Sequence, residues 1–460
     1  VCATLEALMI QRSITANTGG DARVTGYVIA TIMAILCFTA FVHAAPPKVV
    51  KATPDNGAVD VDPALNQMIV VFDQPMNPGS RSITGGGESF PKIEGQIHWT
   101  DARTIVIPVK LEPDHDYRLS INSPSYRNFI STTGERAVPY PISFSTAPLN
   151  KITPEVQKQS VAQLRKAIDE EYSYRDLHNL DWDKLFADAA PELEKCEYPK
   201  SFAKRAGVML AAAQDIHVTL RVGQTGFASA TRNVPINASP RLTQLVPNWQ
   251  QPGNSVATGK FENGIAYLLI ASWSQTLDLN AIFDAILHTD PSKGMIIDVR
   301  GNSGGGEDLA EQVAGCFVTE PRLYSKHITR QNGQWSPVRN RMLDPNRTRA
   351  GYRGKVVVLI GRHCMSSNES FILMMKSAGA TLVGETTFGS SGNPHPHELA
   401  NGVTVSLPSW KDLLPDGSLL EGVGIKPDIE VKAQQPDFAQ RDPVLEAGLK
   451  ALRGEQESKP

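Results

Sequence analysis

Near residue 148 the hydrophobic pattern changes period, and that change divides the chain. From Pro47 to about Ala147, short apolar runs are separated by Pro, Gly and Asn. Met68-Ile69-Val70-Val71-Phe72 is closed by Asp73-Gln74-Pro75-Met76-Asn77-Pro78; Thr104 to Val109 is a second run; Tyr117, Leu119 and Ile121 alternate with polar residues, and Ile142 and Phe144 end the series. Strand side chains point alternately to opposite faces, so a period of two with regular turn signals predicts an all-β sandwich over residues 47–147. After Pro148 the period becomes helical. Thr153-Pro154 reads as N-cap and first helical residue, with Val161, Leu164, Ile168 and Tyr172 on one face, and Ser201 reads as the cap of a second helix facing inward through Phe202, Ala206, Met209, Leu210 and Ala213. Residues 150–230 thus form a helical lead-in, in which His217 opens a strand running to Val222.

From Gly264 onward strands and helices alternate. Strands are expected at 265–271, 295–299, 356–360 and 381–383, and helices around Leu279 to Leu287, Glu307 to Phe317 and Ser366 to Ala378. This alternation predicts a mostly parallel sheet with helices against it, an α/β core over 260–435, followed by a C-terminal helix or tail at 436–460. At 460 residues, two domains or more are expected.

A net charge of −3 and a pI of 6.4 leave no basic field for a polyanion, which excludes nucleic acid as a natural partner. Arg23 precedes an apolar run from Val28 to Phe41, then Val42-His43-Ala44 and Ala45-Pro46-Pro47. Charged region, apolar region and small-residue site together read as a signal peptide over 1–44, with Ala45 as the mature end. The run is shorter than the roughly 20 residues of a membrane span, although an uncleaved anchor is the alternative. The start is over-extended on this reading, the true one falling at Met9 or later. The mature protein is then exported, periplasmic or extracellular, and not integral to a membrane. Export removes Cys2 and Cys37 and leaves Cys196, Cys316 and Cys364, too few for a disulfide framework; a single Cys196–Cys316 bridge stays open.

Two strand-to-helix junctions carry the chemistry. In Asp298-Val299-Arg300-Gly301-Asn302-Ser303-Gly304-Gly305-Gly306, glycines let the backbone approach a ligand and turn N–H groups toward it. Neither the Walker nor the dinucleotide order is present, and Glu307-Asp308 would repel a pyrophosphate, so an oxyanion fits better; a purely structural turn fits as well. The second junction, Val356 to Glu369, sets Ser366 where a strand becomes a helix, the exposed position of a nucleophile elbow. Read locally, the cap is the stronger reading: Ser366 or Ser367 caps the helix, with Glu369 closing a capping box on Ser366.

In order along the chain stand "GMIIDVRGNSGGG", "VVVLIGRHCMSSNES", "ATLVGETTFGSSG" and "LPDGSLLEGVGIKPDIEV". This set resembles the tail-specific, or C-terminal processing, serine peptidases and the core of tricorn protease. The likeness covers Gly264 to Val431, and more loosely from Thr153. The resemblance implies a crotonase-like α/β peptidase domain with Ser366 as nucleophile, the Ser367 amide and that of Gly304 or Gly305 as oxyanion hole, and neither cofactor nor metal. The larger branch of that family takes its base from a lysine after Thr-Phe-Gly; here Thr387-Phe388-Gly389 is followed by Ser390-Ser391-Gly392, and only Lys411 offers a substitute from elsewhere. The tricorn-like branch uses a histidine and a glutamate, which map to His217 in Asp215-Ile216-His217 and to Glu421 before Ile425-Lys426-Pro427-Asp428; its supporting serine before the histidine is Ile216 here. An imidazole of pKa about 6.5 can accept a hydroxyl proton at neutral pH, oriented by a carboxylate. Without the family motif, His217 reads first as a satisfied buried histidine.

The N-terminal stretch "TPDNGAVDVDPALNQMIVVFDQPMN", "LEPDHDYRLSI" and "ISFSTAP" resembles bacterial Ig-like modules. His363, His395 and His397 read as loop residues rather than a base or metal ligands. Residues 223–263 are too short for the peptide-binding domain that such peptidases commonly insert, so substrate would lie beside Trp273 or on the Ig-like module. The expectation is an exported serine endopeptidase acting on protein or peptide substrates, with a catalytically inactive peptide- or apolar-ligand-binding protein on the same fold as the alternative.

Overall fold

The computed structural model describes residues 45–349 and 351–455. The signal-peptide reading, with Arg23, Met9, Cys2 and Cys37, lies outside the described residues. The chain divides into two compact units. One comprises the described residues up to Gly57 with Ala64–Leu111 and Tyr117–Phe144; the other begins at Ser145 and includes Ala58–Pro63 and Glu112–Asp116. No helix among the described residues is long and apolar enough to cross a membrane.

In the first unit the expected strands form, because each apolar run has a partner run to hydrogen-bond. Gln67–Phe72 lies between Val49–Thr53 and Thr104–Lys110, both antiparallel to it. Asp116–Ile121 and Tyr140–Thr146 neighbour one another in a second sheet. Met68, Val70, Phe72, Ile105, Ile107, Phe129 and Ile142 are buried, and the rings of Phe72 and Phe129 meet at 5.5 Å between centroids.

The second unit is built on a seven-stranded sheet. Its order is Gln250–Gly253, Val256–Lys260, Ala266–Ile270, Met295–Asp298, Val356–Ile360, Thr381–Gly384 and Ile429–Glu430. The first two pairings are antiparallel and the remaining four parallel. Alternate residues of the central strands enter different cores. Ile297, Val358 and Ile360 pack with residues of the helices Leu279–Leu287, Glu307–Ala314 and Ser367–Ser377, whereas Ile296, Val357 and Leu359 pack with Val444, Leu445 and Leu452 of Pro443–Arg453. Burial on both faces is why these strands read as continuous apolar runs rather than alternating ones.

The lead-in holds three helices, Pro154–Glu171, Trp182–Glu194 and Pro199–Leu210, instead of two. Thr153 caps the first as expected. The last begins at Pro199, whose fixed φ suits a first helical position, so Ser201 lies inside the helix and donates to the Tyr198 carbonyl rather than capping. Two antiparallel sheets escape sequence pattern. Thr219–Val222 pairs with Thr404–Pro408, and Arg322–Gln331 pairs with Trp410–Leu413. The Cys196–Cys316 bridge is absent: both thiols are free and buried, Cys196 in the helical cluster and Cys316 in the sheet core.

Candidate active site

Ser366 stands between the strand Val356–Ile360 and the helix Ser367–Ser377, with φ 57° and ψ −137°. That region is nearly reserved for glycine and costs a serine on the order of 1–3 kcal/mol, so surrounding contacts must impose it. One is on hand: the Ser366 amide donates to the Ser390 carbonyl at 2.7 Å. The Ser366 hydroxyl makes no capping hydrogen bond, and the residue is half-buried. The local reading of Ser366 as a helix cap is therefore incorrect. Glu369 does not close a capping box either. Fully buried, it accepts hydrogen bonds from the Thr387 hydroxyl and from the amides of Gly389 at 2.8 Å and Ser390 at 2.9 Å. Burial pushes its carboxyl up to about 7 against these three donors.

The glycine loop reaches Ser366 from the next strand. A Cβ on Gly304 would sit 2.8 Å from the Ser366 Cβ and 3.3 Å from its Oγ, so only glycine permits this approach. The Gly304 amide is already engaged with Asn302 Oδ1 at 2.8 Å. Trp273 brackets the loop, its amide donating to the Gly304 carbonyl and its carbonyl accepting from Gly306. Gly305 is the residue this bracket pairs with Trp273, and its carbonyl accepts from the Ser367 hydroxyl at 2.6 Å. Among the described residues the amides of Gly305 and Ser367 have no acceptor. Trp273 is not a cleft residue as expected: it is fully buried, with its indole N–H on Asn368 Oδ1 at 3.2 Å.

His217 follows the left-handed Gln214 in the turn that enters the strand Thr219–Val222. Its Nδ1 lies 3.1 Å from the Ser390 hydroxyl and 3.8 Å from Asp215 Oδ1. Asp215 in turn accepts from the His217 amide and from the Tyr172 hydroxyl, each at 2.9 Å. Burial lowers the imidazole's affinity for a proton, with Asp215 pulling the other way, and burial raises Asp215. Glu421 accepts from the Ser391 amide at 2.9 Å and is reached by the Ser390 side chain; enclosure of its carboxylate pushes its pKa well up, and the nearby Asp215 adds to this. The Gly422 amide bound to the Gly389 carbonyl fixes that loop beside the relay.

Ser366, His217 and Glu421 thus converge on one residue, Ser390. The first meets its backbone and the other two its hydroxyl. Pattern alone missed Ser390, Asp215 and Tyr172, though Asp215 two residues before the histidine was a readable signal. Ser390 occupies the position of the lysine expected after Thr-Phe-Gly. Lys411 offers no replacement. It projects from the opposite face of its strand to Asp412, with its ammonium 4.5 Å over the Trp335 ring, while Asp412 accepts from the Ser391 hydroxyl at 3.0 Å. His363 Nδ1 lies 3.3 Å from the Val234 carbonyl, and His395 is 3.1 Å from the Asn393 amide group.

Residues 264–431 match the profile of Peptidase family S41, and residues 43–146 that of a bacterial Ig-like domain. The carboxy-terminal processing protease CtpA of Bacillus subtilis is 29% identical over 198 residues, 43% of this chain and 40% of that protein. Tricorn protease of Thermoplasma acidophilum is 23% identical over 209 residues, 45% of this chain and 18% of that protein. The match thus spans 40% of CtpA's length and less of tricorn's. A crystal structure from Parabacteroides merdae, provisionally named a peptidase, superposes with a TM-score of 0.57 at 23% identity over 67% of this chain and 99% of that one, a likeness of fold. Residues 264–431 thus carry a peptidase family S41 domain, with a bacterial Ig-like domain ahead of it.

Proposed function

We propose that the chain is a serine endopeptidase that hydrolyses protein or peptide substrates through an acyl-enzyme on Ser366, exported to the periplasm or cell exterior. In this reading residues 47–147 are an Ig-like β-sandwich, 150–230 a helical lead-in, and 260–435 a crotonase-like catalytic core. The observation that carries it is the strained backbone of Ser366, held between the Gly304 approach and the Ser390 carbonyl. A solvent-facing loop serine needs no such conformation; an elbow nucleophile does.

The hydrogen-bond inventory supports one arrangement of the protons. A serine hydroxyl has one proton, and Ser390 faces both an imidazole nitrogen and a carboxylate. With Glu421 as the carboxylate, Ser390 donates to it and accepts from His217 Nδ1–H, which leaves the Nε2 lone pair to act as base. His217 Nε2 takes the Ser366 hydroxyl proton as Oγ bonds to the substrate carbonyl carbon. The carbonyl π pair moves to oxygen, which the amides of Ser367 and Gly305 stabilise. Collapse of that oxyanion breaks the C–N bond, and His217 returns its proton to the departing amine. Water, deprotonated by the same imidazole, then adds to the ester carbonyl; collapse breaks the C–Oγ bond, and His217 returns that proton to Ser366 Oγ. Ser390 supplies the polar support that Ile216 lacks.

Ser366→Ala should abolish hydrolysis of an unfolded protein substrate and covalent labelling by a serine-directed phosphonate, with the melting temperature near wild type. Retained turnover in that variant, or no labelling of the wild-type protein, would remove the assignment; the second outcome would favour a non-catalytic binder.

A further inference from the structure

Residues 229–241 form a segment laid over the C-terminal end of the strand that leads to the nucleophile. The Ser229 hydroxyl anchors its start on the carbonyls of Asp215 and Val218, and Asn237 Nδ2 holds its far part to the Ile360 carbonyl at 3.1 Å. Between these anchors stands Arg232. One Nη donates to the Arg362 carbonyl, four residues before Ser366. The guanidinium carbon is 4.1 Å from the centroid of the Phe388 ring, and Phe388, whose amide bonds the Cys364 carbonyl, immediately precedes Gly389 and Ser390. Arg232 therefore sits on the wall shared by the nucleophile loop and the relay loop.

A guanidinium carries five N–H donors and is always charged. Here only one donor is engaged among the described residues, Nε is shut away from solvent with no partner, and the cation forms no ion pair. Of the two groups whose charge it feels, Cys364 is a buried thiol that burial keeps protonated, and Glu369 already accepts from Thr387, Gly389 and Ser390. The residue is half-buried, and this partial burial without an ion-pair partner weakens the cation's hold on its proton, the opposite of what a structural ion pair would do. Leaving a buried donor unmet costs roughly 1–3 kcal/mol, and charged donors more, so a folded chain tolerates it where a ligand supplies the acceptor. Phe388 fixes the plane of the fork from one side, and a planar, bidentate anion is what a fixed fork selects.

We infer that Arg232 is a specificity-determining residue that binds a carboxylate on the substrate, next to the bond cleaved by Ser366. This rests on the peptidase reading above. Two sources carry that chemistry: an acidic side chain near the scissile bond, and the terminal α-carboxylate of a chain cut close to its end.

The test uses the full chain and matched peptide pairs, one pair differing as internal Glu against Gln and the other as C-terminal acid against amide. Wild-type protein should favour the carboxylate member of at least one pair, and the pair that responds identifies the source. In Arg232→Gln that ratio of kcat/KM should fall about 10- to 100-fold toward one, with Arg232→Lys between the two. The same peptides are titrated onto Ser366→Ala and Ser366→Ala/Arg232→Gln, where the ratio of Kd values should change in parallel. No carboxylate preference in wild type, or an equal loss on all peptides in Arg232→Gln, overturns the inference. Absence of cleavage by wild type with the Kd ratios as expected would instead count against the peptidase reading and leave the carboxylate site standing.

Discussion

Ser390 is the residue on which the proposed chemistry turns, and nothing in its local sequence announces it. A serine in a Gly/Ser loop is ordinary turn material, and its partner His217 lies 173 positions earlier in the chain. Ser366 and Glu421 were legible because each sits in an ordered motif; Ser390 becomes visible only when the fold brings the loop to the imidazole. Ser390→Ala should lower kcat/KM on the order of 10²-fold by leaving the His217 tautomer undefined, while Lys411→Ala stays near wild type. The pH profile separates positioning from packing. The base works as neutral imidazole, and burial depresses the His217 pKa. Activity is therefore retained above its usual value of about 6.5 and lost only as pH falls below that value. An acid limb above 6.5 in wild type, or an unchanged limb and rate in Ser390→Ala, would contradict the relay.

Among the elements, the central strands and the helices of the core were readable because both faces of the sheet are buried and each helix shows an apolar stripe. The two antiparallel sheets were not: their strands are short, of mixed polarity, and pair across long separations, as Arg221 does with Thr404. Local signals also misled where tertiary contacts outweigh them. Ser366 and Glu369 have the spacing of a capping box, yet the carboxylate turns inward to the relay loop. The glycine loop and the helix Ser367–Ser377 approach so closely that Gly304→Ala, at φ +108° and 2.8 Å from the Ser366 Cβ, should cost about 1–3 kcal/mol. A lower melting temperature and phosphonate labelling slowed more than about 100-fold are expected, since the added methyl pushes on the nucleophile itself. Wild-type labelling in this variant would mean that the loop yields without moving Ser366.

For the molecule as a whole, the period changes once near residue 148, whereas the compact units interleave along the chain: residues 58–63 and 112–116 belong with the second. Nor did pattern reveal what ties the C-terminal helix to the catalytic sheet. Arg300, fully buried, donates to both oxygens of Asp298 and to Asp442 Oδ1 at 2.8 Å, while Asp442 also accepts from the amides of Ser239 and Leu445. Three distant segments thus meet at one ion network. Asp442→Ala leaves the guanidinium with less counter-charge and uncaps the helix. The loss should be roughly 3–5 kcal/mol in chemical denaturation. A loss below about 1 kcal/mol would mean that water or Asp298 alone satisfies Arg300.

The grip of Glu369 on the relay loop reaches further than local order. Rooted in the first turn of the nucleophile's own helix, this carboxylate clasps the very residues that face the imidazole, and the serine amide clasps back. On the proposed mechanism, attacking oxygen and proton path thereby ride on a common chassis, so a tremor in the surrounding sheet would carry them together and leave their spacing intact.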